Sequence, residues 1–181
     1  TELRGKTLGI IGFGRIGQAL ATYALGCGMK IAYVDNNRKD AIVPIYIENY
    51  GTVEVQLKAT SLDDLLASSD FISLHVPAQA NGAAVIGATE MAKMKDGAYL
   101  VNSARGGSVD EAALKNALES GKLAGAALDV FVNEPTPNAD LLKTDKLALT
   151  PHIGAATNEA QDRIGEELAA QIKEVFAVCQ D

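Results

Sequence analysis

Apolar runs four to seven residues long recur along the chain, separated by segments with helical periodicity. Thr7–Phe13 and Met29–Asp35 are apolar on both faces and read as buried strands, with Arg15–Leu25 between them as a helix. Asp70–Val76, Ala98–Asn102, Ala124–Phe131 and Leu147–Thr150 continue the strand series. Helices are expected from Ser61, which caps a segment with Leu62, Leu65 and Leu66 on one face, and over Thr89–Lys95. A capping box Ser108-Val109-Asp110-Glu111 predicts a helix running to about Ser120 and closed by Gly121. Asn158 to Ala177 carries an apolar stripe of Ile164, Leu168, Ile172, Val175 and Phe176, and predicts the last helix. Ala41 to Thr60 has β-favouring residues around Pro44, and one short strand with a loop is expected there. Strands apolar on both faces that alternate with helices imply a parallel sheet covered on both sides, an α/β doubly wound Rossmann-type fold in a single domain.

The join between the first strand and the first helix reads Gly12-Phe13-Gly14-Arg15-Ile16-Gly17. In such a turn Gly12 permits the tight bend, Gly14 leaves the backbone open to a pyrophosphate, and Gly17 lets helix and strand pack closely. The free N–H groups and positive dipole end of the helix face the anion. Alone this motif is weak evidence, since glycine-rich turns are common. Asp35, at the end of the second strand, stands where a carboxylate can accept hydrogen bonds from ribose hydroxyls and repel a 2′-phosphate, which selects NAD over NADP.

Bulk properties narrow the classes. The 181 residues are 48% hydrophobic, enough for one core and short for two full domains. A net charge of −7 argues against a nucleic-acid partner. No apolar run approaches a membrane span, and no membrane partner is expected. Cys27 and Cys179 have no metal-ligand spacing and read as reduced thiols of a cytoplasmic protein; no metal site is expected.

In doubly wound sheets ligands bind beyond the carboxyl ends of the strands. Ser103-Ala104-Arg105 follows one strand, Asn133-Glu134-Pro135 another, and Pro151-His152-Ile153-Gly154-Ala155 a third. A cation, a carboxylate and an imidazole thus share the edge that carries the glycine loop. Taken singly each has an ordinary structural reading; together they suit redox chemistry on an anionic hydroxy acid. His75, in Leu74-His75-Val76-Pro77, is expected to line the cofactor groove without a chemical role for its imidazole.

These motifs, with Thr1 to Thr7, Met94 to Ala98, Val101 to Gly107, Ala124 to Pro135 and Leu149 to Ala156, resemble the nucleotide-binding domain of the D-isomer-specific 2-hydroxyacid dehydrogenases, and among them the 3-phosphoglycerate-oxidising branch. The resemblance implies roles: Arg105 for the substrate carboxylate and Glu134 with His152 as acid–base pair. It also implies the backbone of Arg15 and Ile16 on the pyrophosphate, Asp35 on the ribose, and Val76, Pro77, Ser103, Ala104, Asp129, Gly154 and Ala155 along the nicotinamide side. It implies NAD as cofactor, a small 2-hydroxy acid as substrate, and pairing of two copies through this domain. Two departures stand out. Ala78 to Gly82 is shorter than the family's usual loop, and the family's substrate domain is missing from residues 1–181. The isolated chain is therefore expected to bind NAD and to turn over substrate poorly or not at all. An NAD-sensing corepressor module and a glyoxylate or hydroxypyruvate reductase are the competing readings; the first lacks a recognisable peptide-docking surface, and Asp35 argues against an NADP-linked form of the second.

Overall fold

A six-stranded, all-parallel sheet in the order β2-β1-β5-β6-β7-β8 forms the centre of the computed structural model, which describes residues 1–178. Its strands are β1 Thr7–Ile11, β2 Lys30–Val34, β5 Phe71–Leu74, β6 Ala98–Asn102, β7 Leu123–Leu128 and β8 Leu147–Leu149. The helices are α1 Arg15–Gly26, α2 Leu62–Ser68, α3 Ala88–Lys93, α4 Glu111–Glu119, the short α5 Ala139–Leu142, which the sequence reading does not anticipate, and α6 Asn158–Val178. Cys179 lies outside the described residues; Cys27 is exposed and free. No described helix is long and apolar enough to cross a membrane.

Alternate residues of β1 face opposite ways, and two cores result. Leu8 and Ile10 pack with Phe13, Ala21, Ala24 and Tyr33 on the α1 side. Ile11 joins Leu65, Ile72, Leu74, Met91, Leu100, Leu114 and Leu123 under α2, α3 and α4. Helices therefore lie on both faces, as expected. On the α1 side, however, α1 reaches only the β1–β2 end of the sheet. Beyond it Phe71, Tyr99, Val101, Ala124, Ala127 and Ala148 line an open depression of about 610 Å³.

The main correction concerns Ala41 to Thr60. This segment forms a separate two-stranded antiparallel sheet, β3 Asp40–Ile47 and β4 Gly51–Lys58. Ala41, Val43 and Leu57 alternate inward and pack against the α1-side core, so period-2 burial drives both strands. Asn49 (φ 64°) and Gly51 (φ 93°) make the turn. Pro44 is tolerated because a two-stranded ribbon has only edge strands.

A second correction concerns the start of α4. Ser108 does not cap it; Asp110 does, its Oδ1 accepting from the N–H groups of Ala112 and Ala113 at 3.0 Å each. Ser108 is buried and its hydroxyl has no partner among the described residues. Ser61 caps α2 as expected. The helix expected over Thr89–Lys95 starts at Ala88 and stops at Lys93, its first turn closed by the Glu90 carboxylate on the Gly87 N–H at 2.9 Å. The apolar stripe of α6 is present but stays exposed.

Candidate active site at the carboxyl edge of the sheet

The chain reverses its winding direction between β1 and β5, and the crevice beyond these two strands is the switch point of the sheet. Gly12, directly after β1, has φ 90°, and a Cβ there would stand 2.4 Å from the His75 carbonyl oxygen. A Cβ on Gly17 would stand 2.3 Å from the Gly12 oxygen. Both glycines are thus demanded by close backbone approach. Gly14 differs: a Cβ there would meet nothing within 4 Å, so its bareness leaves open space at the first turn of α1. That helix has neither a capping side chain nor an acidic residue in its first turn. Its leading N–H groups await an acceptor from outside, as an anion site requires.

A cleft of about 670 Å³ runs from this loop, lined by Gly12, Gly14, Asp35, His75, Val76 and Pro77 and closed by Gln79 and Asn81 of the short loop after the proline. Burial would raise the Asp35 carboxyl, but N–H donors from Asn37, Phe13 and Arg38 outweigh it and hold its pKa below the usual value. The Phe13 bond, at 2.7 Å, ties Asp35 to the glycine loop. Oδ1 already accepts from Asn37 and Arg38 and Oδ2 from Phe13, which leaves room on Oδ2 for one ribose hydroxyl. His75 accepts or donates at Nε2 to the buried Ser73 hydroxyl at 2.9 Å, and burial lowers its pKa, which keeps it neutral. It lines the cleft wall, as expected.

Across the edge lie the loops after β6, β7 and β8. Glu134 Oε2 meets His152 Nδ1 at 2.7 Å, while Glu134 Oε1 accepts the Phe131 N–H at 2.8 Å. The His152 contact first, and the Phe131 bond second, lower the Glu134 pKa. The structure thus joins Glu134 and His152 in one hydrogen-bonded pair, beside an apolar hollow of about 370 Å³ that Phe131, Pro135, Leu149 and Pro151 help to line. Asp129 acts on the same loop. Its Oδ1 accepts from Thr150 Oγ1 (2.6 Å) and the Ile153 N–H (2.8 Å), and its Oδ2 from the Gly154 N–H (2.9 Å). Burial opposes its ionisation, yet these donors and the nearby His152 hold its pKa down. They brace a loop in which His152 itself takes the left-handed conformation, φ 56°, a region that costs a non-glycine residue about 1 kcal/mol or more.

Arg105 is exposed, and its Nη1 donates to its own neighbour, the Ala104 carbonyl, at 2.6 Å. No hydrogen bond joins it to Glu134 or His152 among the described residues. The loops that carry them do touch: a Cβ on Gly106 would overlap the Phe131 carbonyl oxygen. Asn102 is a site residue that motif reading passed over. Buried at the end of β6, it accepts the Ala104 N–H at 3.1 Å and donates to the Arg105 carbonyl at 3.1 Å, which fixes the turn presenting Arg105. The available signal was a polar side chain closing an apolar strand. Ser103 stands exposed and Ala104 buried in that turn; Ala155 is exposed beside Gly154. Among the described residues no cluster of acidic, histidine or cysteine side chains is suited to a metal.

Residues 1–154 match the family model described as D-isomer specific 2-hydroxyacid dehydrogenase, NAD binding domain. A hydroxypyruvate reductase of Thermotoga maritima is 46% identical over 175 residues, covering 94% of this chain and 53% of that protein. A D-3-phosphoglycerate dehydrogenase of Mycobacterium tuberculosis is 40% identical over 177 residues, covering 98% of this chain and 32% of that protein. Among solved structures, the D-lactate dehydrogenase of Aquifex aeolicus complexed with NAD and lactic acid superposes with a TM-score of 0.76 at 36% identity, over 98% of this chain and 55% of that one. The chain spans about half the length, or less, of these relatives.

Proposed function

Since this chain belongs to the D-isomer-specific 2-hydroxyacid dehydrogenases as their NAD-binding domain, we propose that it supplies the acid–base half of a hydride-transfer centre, completed by a substrate domain outside residues 1–181. The observation that carries this reading is the 2.7 Å contact of Glu134 with His152 Nδ1 on the edge that also holds the glycine loop. NAD, when bound, supplies the hydride acceptor. The glycine-loop cradle fits that cofactor: open space at Gly14, uncapped N–H groups on α1, and the Asp35 carboxylate in the same cleft.

The residues divide the remaining work. Glu134 takes the Nδ1 proton of His152 as a hydrogen bond, which leaves Nε2 with its lone pair as the base. In the oxidising direction Nε2 takes the hydroxyl proton of the substrate while the C2 hydrogen leaves as hydride, and a 2-oxo acid results. The imidazolium so formed sits against an ionised Glu134. In the reducing direction His152 returns the proton. Arg105 releases the Ala104 carbonyl and turns its guanidinium fork to the substrate carboxylate, a two-pronged contact that lysine cannot reproduce. Acid–base catalysis of this kind contributes about 10²–10⁴-fold, so His152→Ala in the complete protein lowers kcat by that order. Near-normal turnover in that variant removes the assignment.

For the substrate we take 3-phosphoglycerate first, which would place the complete protein at the first step of serine biosynthesis. In support, the Mycobacterium relative matches over 98% of this chain. The second reading, hydroxypyruvate or glyoxylate reduction, draws on the higher identity, 46%, to the Thermotoga reductase. Among the described residues no lysine or arginine lines the hollow beside Glu134 and His152, so on this reading a phosphate is gripped by the other domain. Calorimetric titration of the chain with NAD and NADP tests the cofactor. Assays of the complete protein with 3-phosphoglycerate and with hydroxypyruvate then separate the two substrates.

A further inference from the structure

Helix α6 lies across a groove from the leading end of α1 and the glycine loop. Ala160, Arg163, Ile164 and Glu167 recur at helical spacing and share a groove of about 600 Å³ with Gly14, Arg15, Ile16 and His75. Across this groove Arg15 Nη1 and Nη2 donate to Glu167 Oε1 and Oε2 at 3.0 and 3.3 Å, a two-pronged pair whose side chains are 87% and 49% exposed. Arg163 makes no ion pair or hydrogen bond among the described residues. A chain of net charge −7 thus gathers two guanidinium groups and the uncapped N–H groups of α1 on one groove, with a single carboxylate between them.

A carboxylate and a phosphate present similar oxygen edges to a guanidinium fork. We infer that Glu167 is a stand-in anion: it holds Arg15 until the cofactor's pyrophosphate arrives, and then releases it. Arg163 supplies the second guanidinium for that pyrophosphate, which makes α6 the outer wall of the phosphate site. This rests on the glycine loop being the cofactor site and adds two residues to it. The exchange is inexpensive because an exposed pair is weak; the cofactor displaces Glu167 at the cost of a few-fold in affinity.

The test is NADH and ADP-ribose titration of the 181-residue chain, with adenosine as the ligand that lacks a pyrophosphate. Glu167→Gln keeps the length and removes the charge; it should tighten NADH and ADP-ribose by roughly two- to fivefold. Arg163→Ala should weaken both by roughly fivefold and flatten their salt dependence, and Arg163→Lys should restore part of the loss. Neither variant should move adenosine. Unchanged or weaker NADH binding in Glu167→Gln, or ADP-ribose affinity in Arg163→Ala equal to the parent's, overturns the inference while leaving the cofactor site intact. If the parent chain binds neither NADH nor ADP-ribose, both readings fall together.

Discussion

Asp129→Asn is the sharpest test of how the site is held. The carboxylate accepts three donors, two on Oδ1 and one on Oδ2, and all come from the loop bearing His152. Asparagine keeps one acceptor oxygen and replaces the other with an N–H donor. With the oxygen toward Thr150 and Ile153, the new NH₂ confronts the Gly154 N–H, and one bond becomes a clash of donors. A hydrogen bond to a charged acceptor is worth about 1.5–3 kcal/mol; partial exposure of the loop reduces that, so a loss of about 1–2 kcal/mol is expected. The left-handed His152 backbone makes release easier, because the loop relieves its own strain on opening. Amide hydrogen exchange at Ile153 and Gly154 reads this locally, and the expected acceleration is roughly 5- to 30-fold, since 1.4 kcal/mol corresponds to tenfold. Urea unfolding gives the global counterpart. Unchanged exchange at both amides, with stability unaltered, refutes the claim that Asp129 braces the His152 loop.

Further outcomes follow from the same geometry. Gly14→Ala should leave the thermal midpoint unchanged and weaken NADH binding, whereas Gly17→Ala, with its Cβ 2.3 Å from a backbone oxygen, should lower stability by about 1–3 kcal/mol; calorimetry and ligand titration separate the two. Asp110→Ala should cost about 1 kcal/mol as the loss of a helix cap, while Ser108→Ala should be neutral or stabilising because its buried hydroxyl is unpartnered; chemical unfolding of both variants checks the reassigned cap. Asp70 has its pKa lowered first by the Thr7 N–H and then by Lys95, against burial. Its contribution is therefore complete above the ordinary carboxylate pKa of about 3.9 and is lost as pH falls toward the lowered folded value. In Asp70→Asn, urea unfolding between pH 5 and pH 3 should show a shallower decline.

The sheet and the glycine loop were legible because their signals are local. A strand buried on both faces is an unbroken apolar run, and a dinucleotide turn needs its glycines at fixed spacing. The β3–β4 ribbon was harder, since Pro44 and the exposed apolar side chains of Ile42 and Tyr46 mask the alternation of Ala41 and Val43, which shows only against α1. At Ser108 two capping residues two positions apart compete for one helix end, and only the backbone path decides for Asp110. The candidate acid–base pair could be named from strand ends, because the chain must deliver strand-terminal residues to a common edge. The roles of Asp129 and Asn102 as loop braces could not, since their partners, backbone groups apart from the Thr150 hydroxyl, carry no sequence signature. The groove shared by Arg15 and Glu167 joins residues 152 positions apart, beyond any local pattern.

The β1–β5 seam has a consequence for how the chain comes apart. Every other strand pairing in the main sheet joins consecutive members of its series, while this one closes a gap of sixty residues between Ile11 and Phe71. Gly12 on one side of the seam and His75–Val76 on the other line the same cleft. A molecule bound there spans the seam, and saturation at a hundred times Kd adds about 2.7 kcal/mol to the stability of the folded chain. Proteolysis of the chain should therefore slow as NAD is added, in step with the occupancy of the cleft.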